Sequence, residues 1–141
     1  MKRTPNDGGS ATLELTILAP ALLLVLALAV LAGRIETTSS AVEQAAAAGA
    51  RDASLARSPA GARAVALTTA RASLASQGLD CRSLIVDVDT SGFLVPTGVA
   101  SVVRVTVDCL VPLADLAVPG VPGTRSVHAS MTSPLDTYRS R

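Results

Sequence analysis

Residues 8–34 read GGSATLELTILAPALLLVLALAVLAGR, and this stretch decides how the rest of the chain is organised. From Leu15 to Ala32 only Thr16 and Pro20 interrupt the aliphatic side chains. At a rise of about 1.5 Å per residue such a run nearly crosses a bilayer core of roughly 30 Å, so the pattern predicts a spanning helix over residues 10–33. Lys2 and Arg3 lie in the short segment before it, while a long domain follows. The positive-inside rule then keeps the N-terminus cytoplasmic and places everything after Arg34 outside, since long domains translocate largely regardless of their charge. Pro20 removes one amide donor and leaves the Thr16 carbonyl without its usual partner, which predicts a kink that the Thr16 hydroxyl could help repair.

Two readings of this helix compete. A basic start, an apolar stretch and the small-residue sequence Val30-Leu31-Ala32 also suit a secretory signal peptide cut after Ala32. Against it stand the length of the run, beyond the usual range of about 7 to 15 residues, and the carboxylate of Glu14 at its mouth. An ionisable group at that depth needs a partner or water, and such groups commonly mark function. If the chain were cut between Gly9 and Ser10, the new amino group of Ser10 would lie four residues before Glu14, one helical turn away. The plainer alternative is a carboxylate at headgroup depth, favoured by the helix dipole by about 0.3 to 1 kcal/mol. That alternative accounts for the charge but not for Gly8-Gly9.

A basic leader, Gly9, the small residues Ser10 and Ala11, Glu14 at the fifth position after the cut and an apolar helix together resemble a prepilin-type signal. Within that superfamily, GSATLELTILAPALLLVL, the Ala-rich stretch after it and the closing SPLDTYR look most like TadE-like pseudopilins of the tight adherence (Tad/Flp) system, relatives of the type IV pilins. The resemblance implies a membrane prepilin peptidase that cuts after Gly9 on the cytoplasmic side. It also implies Glu14 as a docking group during assembly, with other pilins or pseudopilins, the inner-membrane assembly platform and the lipid bilayer as partners. Leu15 stands where many relatives carry an aromatic residue. The chain is longer than the small major Flp pilin, which favours a minor pseudopilin in assembly or adhesion. A secreted binding protein cut after Ala32 and an uncleaved single-pass accessory protein remain the alternatives.

The 141 residues carry a formal net charge of +1, a single Lys and, as aromatics, only Phe93 and Tyr138. No basic patch interleaved with stacking side chains is present, so nucleic acid is not an expected ligand. The core has to be built from small aliphatic groups. After the leader (1–9) and the span (10–33), the pattern divides into a helical stem with a second helix (34–79) and a β-rich head (80–141), an α+β pilin-like arrangement.

IETTSSAVEQAAAAGARDASLA has no Pro and much Ala, and so continues the spanning helix outward. Its stripe of Ile35, Thr38, Val42, Ala45 and Gly49 is small and weakly apolar, suited either to packing against sister helices or to cover by the chain's own head. A second helix restarts with Ser58 as N-cap, Pro59 in the first turn and Gly78 past the end. Ala60, Ala64, Leu67, Ala70 and Leu74 form its expected apolar side, with Arg63 and Arg71 outward. From Cys81 the period changes to two. Leu84, Val86 and Val88, then Val103, Val105, Val107, Cys109 and Val111, then Val127, Ala129 and Met131 define three half-buried strands of a small antiparallel sheet. PLADLAVPGVPG between the last two reads as an exposed connection.

Cys81 precedes the first strand and Cys109 comes late in the second, so antiparallel pairing brings them together and a disulfide is expected. The alternative is two reduced buried thiols. Two Cys, a lone His128 and no CxxC offer no ligand set for a metal. DVDTSG (87–92) opens like a calcium loop, but the position of the bidentate Glu falls on Gly98, leaving strand-end carboxylates entering a turn. His128 alternates outward and reads as a surface residue. No G-x-S-x-G, H-E-x-x-H or P-loop is present, and no cofactor or catalytic residue is expected. The chain reads as the substrate of an enzyme and not as one.

Overall fold

The computed structural model describes residues 8–112 and 123–138, so the leader before Gly8, the centre of the PLADLAVPGVPG connection and the last residues from Arg139 lie outside it. Helix α1 (Gly8–Leu55) runs unbroken through Pro20 and is followed by α2 (Pro59–Ser76). Strands β1 (Ser83–Asp89), β2 (Val102–Pro112) and β3 (Thr124–Pro134) form one antiparallel sheet in the order β1-β2-β3. A single 3-10 turn, Ser91–Leu94, sits between β1 and β2.

The two halves of α1 have different surroundings. From Glu14 to Val30 its side chains are exposed, including Leu15, Ile17, Leu18, Leu22, Leu23 and Leu24. Nothing among the described residues covers them. An uncovered aliphatic surface of this length is unfavourable in water and favourable in hydrocarbon, which makes this half a candidate membrane span. From Ile35 onward one face turns inward. Thr38, Ala41, Val42, Ala45, Ala46, Gly49, Ala50 and Ala53 are buried. The stem stripe is therefore covered by the chain's own head, and of the two readings of that stripe this one holds.

Small side chains allow α1 and α2 to approach closely. Helix α2 begins as its sequence signals, with the Ser58 hydroxyl accepting from the Gly61 amide and Pro59 in the first turn. It ends in a Schellman arrangement, in which the Gly78 amide donates to Ala75 and the Leu79 amide to Leu74, with Gly78 at φ +67°. Its buried face is Ala62, Ala66, Ala70 and Leu74. The expected face is corrected at three positions, since Ala60 and Ala64 are exposed and Leu67 is half-buried. With Ala on every side of this helix, composition does not mark the inner face; only the partner surface does.

The sheet lies over the helix pair, β2 and β3 against α1 and β1 against α2. Its inner face carries the predicted alternation, with Val103, Val105, Val107, Cys109 and Val111 buried on the central strand and Val88, Val127 and Ala129 on its neighbours. The third strand extends three residues past Met131, to Pro134. Phe93, the chain's one Phe, closes the end of the core. Cys81 and Cys109 form a disulfide with their Cα atoms 5.3 Å apart, tying the segment after α2 to the central strand.

Strand direction follows from these contacts. Gln77 at the end of α2 reaches the Ala41 carbonyl, whereas the Ser133 hydroxyl late in β3 donates to that of Ser54, thirteen residues farther along α1. Helix α2 thus runs back toward the apolar half of α1, β1 and β3 run away from it, and β2 returns.

Candidate functional site

The expected processing and docking residues lie at the start of α1. Gly8, Gly9 and Ser10 have helical backbone. Glu14 follows one turn after Ser10, exposed, with no ion-pair or hydrogen-bond partner among the described residues. Beyond it come only aliphatic side chains and Thr16 until Arg34. Glu14 and Arg34 are twenty residues apart on one continuous helix, about 30 Å, so each charge would meet one headgroup layer of a bilayer.

The polar contacts of the head hold its layers together. Thr69 on α2 donates to the Asp52 carboxylate on α1 at 2.6 Å, and Arg63 Nη2 donates to Thr90 Oγ1 at 2.8 Å, joining α2 to the end of β1. Thr37 and Thr38 donate back to the Arg34 carbonyl. A groove of about 330 Å³ beside them, lined by Arg34, Thr37, Ala41, Gln77 and Leu79, is open and broad.

Two other sites that the sequence singles out are placed by the structure. Asp89 accepts from the Ser91 amide at 2.9 Å, and this bond, then the Ser91 side chain and more weakly Arg104, holds its carboxyl below the ordinary value. The DVDTSG carboxylates therefore enter a turn, as read. His128 is on the outer sheet face and does more than face solvent: it opposes Asp108 across β2 and β3, and its Nδ1–H donates to the carboxylate at 2.7 Å. Sequence alternation put both residues outward, but only the register made them neighbours. Among the described residues no cluster of three metal-ligating side chains occurs.

The described chain is thus a long helix, apolar and bare in its first half, carrying a small disulfide-bridged α+β head on its second. Residues 9–51 match the family model described as TadE-like protein. The match takes in Gly9, Ser10, Glu14, the whole apolar run and most of the packed stem, and stops before α2. This segment is similar to TadE-like proteins. No curated protein and no solved structure matches the chain.

Proposed function

We propose that this protein is a minor pseudopilin of a Tad/Flp-type pilus, anchored by α1 with its N-terminus in the cytoplasm and its head outside. The observation that carries the reading is the coincidence of the TadE-like match with the Gly9–Glu14 motif at the head of a bare apolar helix. A prepilin peptidase cuts after Gly9. Helical hydrogen bonding shields a peptide bond from hydrolysis, and the Gly8-Gly9 pair eases local unwinding, each Gly being about 1 kcal/mol less favourable than Ala in a helix. The freed Ser10 amine then pairs with Glu14 on the same or a neighbouring helix, removing the cost of an unpaired carboxylate as the subunit enters the assembly. The protein works as a structural component in assembly or adhesion. It meets other pilins and the inner-membrane platform, and it is acted on by an enzyme without being one.

Mass spectrometry of the mature protein from membranes tests this. We expect a chain beginning at Ser10, and accumulation of full-length protein when Gly9 is replaced by a bulky residue. A mature chain beginning at Gly33 would show a cleaved signal peptide instead. Full-length protein indifferent to the Gly9 change would leave an uncleaved single-pass anchor.

A further inference from the structure

The groove between Arg34 and the end of α2 lies where the chain leaves the apolar run. Arg34 is the first charge after that run, and one wall of the groove is the side of α1 that carries Arg34, Thr37 and Ala41. The other wall is the C-terminal end of α2, with Gln77 and Leu79. Arg34 and Ala41 are two turns apart, about 10 Å, which is of the same order as the headgroup layer of about 5 to 8 Å on each side of a bilayer core. At about 330 Å³ the groove is at the lower end of the size range of small-ligand sites.

The two walls offer opposite polarity. The Arg34 guanidinium has no ion-pair or hydrogen-bond partner among the described residues, so its donors are unused, and Arg34 is the one charged residue in the lining. Glu36, two residues on, is turned from Arg34 by about 200° and stands on the far side of α1. Across the groove, Gln77 Nε2 donates to the carbonyls of Ala41 and Ser73, which leaves Oε1 an acceptor without a donor among the described residues. The dipole of α2 adds partial negative charge at this same end. The remaining charges near the starts of β1 and β3, Asp80, Arg82 and Arg125, are exposed and do not line the groove.

We propose that this groove seats the headgroup of one phosphatidylethanolamine from the leaflet on the head's side, its phosphate on the Arg34 guanidinium and its ammonium on Gln77 Oε1 at the C-terminus of α2. A guanidinium matches phosphate oxygens with two parallel donors. The ammonium brings N–H donors to an acceptor that lacks one; a choline has none to bring, and a glycerol headgroup brings no positive charge. The source is the bilayer and not a free phosphate, because the bare aliphatic side chains of α1 begin directly below Arg34 and give the acyl chains a surface to lie along. A lipid held in this way fixes the depth and the rotation of the head over the membrane. The inference rests on the membrane-anchored reading, which puts Arg34 at headgroup level.

The test titrates phosphatidylethanolamine, phosphatidylcholine and phosphatidylglycerol of one acyl composition into the detergent-solubilised full-length chain and reads bound lipid by native mass spectrometry. The wild type is expected to retain one phosphatidylethanolamine about tenfold more tightly than either of the others, the low end for one charge-assisted hydrogen bond. Arg34→Gln should weaken all three lipids about tenfold. Gln77→Met, which keeps the length and loses the acceptor, should bring phosphatidylethanolamine down to the level of phosphatidylcholine while the Cys81–Cys109 bridge and the unfolding midpoint are kept. Arg125→Gln, off the groove, should change nothing. Equal retention of the three lipids, displacement of lipid by inorganic phosphate, or the same loss in Arg125→Gln as in Arg34→Gln would overturn the site. Release of wild-type protein from membranes by carbonate would overturn the anchored reading itself, whereas a firmly anchored chain without the lipid preference overturns the site alone.

Discussion

A Cβ placed on Gly49 would stand 3.2 Å from the carbonyl oxygen of Ala66 and 3.5 Å from Cγ1 of Val105. Gly49 is thus a point where α1, α2 and the central strand meet closely. The seam depends on the lack of a side chain there, because the Ala66 carbonyl belongs to a helical backbone that cannot move alone.

Gly49→Val should accordingly destabilise the head by about 1 to 3 kcal/mol through overpacking. Thermal unfolding of the detergent-solubilised chain reads this as a lowered midpoint. Gly33, with nothing within 4 Å of an added Cβ, is the matched control.

Loss of the disulfide should cost the head more. The bridge closes a separation of 28 residues, and constraint of the unfolded chain over that length contributes about 3.5 kcal/mol on the entropy model. Replacing Cys81 and Cys109 together by Ala is expected to lower the unfolding midpoint and raise protease sensitivity of the exported protein. Peptide mapping without reductant should recover the two cysteines in one linked fragment of the wild type.

Acid stability should respond to Asp89. Its carboxyl lies below the ordinary value of 3.8, chiefly because the Ser91 amide donates to the charged form. A depressed folded value means that the contribution is complete above the unfolded value and is lost as pH falls through the folded one. Asp89→Asn keeps an acceptor for the Ser91 amide but does not titrate, so its stability should fall less steeply with acid below the ordinary carboxyl range than that of the wild type. Identical acid limbs in the two proteins would remove Asp89 from the account.

Glu14→Gln separates assembly from insertion. The amide keeps the shape and loses the charge, so membrane insertion should be unimpaired and cleavage after Gly9 should proceed, while crosslinking to other pilus components drops. Normal crosslinking and normal pili in the variant would make Glu14 an interfacial charge at a helix N-terminus and nothing more.

The sheet was legible residue by residue because each strand buries one face only. Val103, Val105 and Val107 are Val, their alternates Arg104, Thr106 and Asp108 are polar, and a period of two follows from strand geometry alone. The same clarity placed Cys81 beside Cys109. Helix α2 was legible in extent, through Ser58, Pro59 and Gly78, but not in orientation, because Ala60, Ala62, Ala64 and Ala66 are chemically alike and only contact with Gly49 and the sheet separates the buried pair from the exposed pair.

By itself, the sequence determined the apolar half of α1, the strand faces and the cysteine pairing, all of which depend on local spacing or on one strand following another. Tertiary structure decided what the stem stripe packs against, which Ala residues of α2 are inside, and that Asp108 and His128 are neighbours. Each of these depends on how an element is rotated about its own axis or slid against its neighbour. Rotation and register are set by close packing between distant segments, Gly49 on Ala66 and Ser133 on Ser54, which no local pattern records.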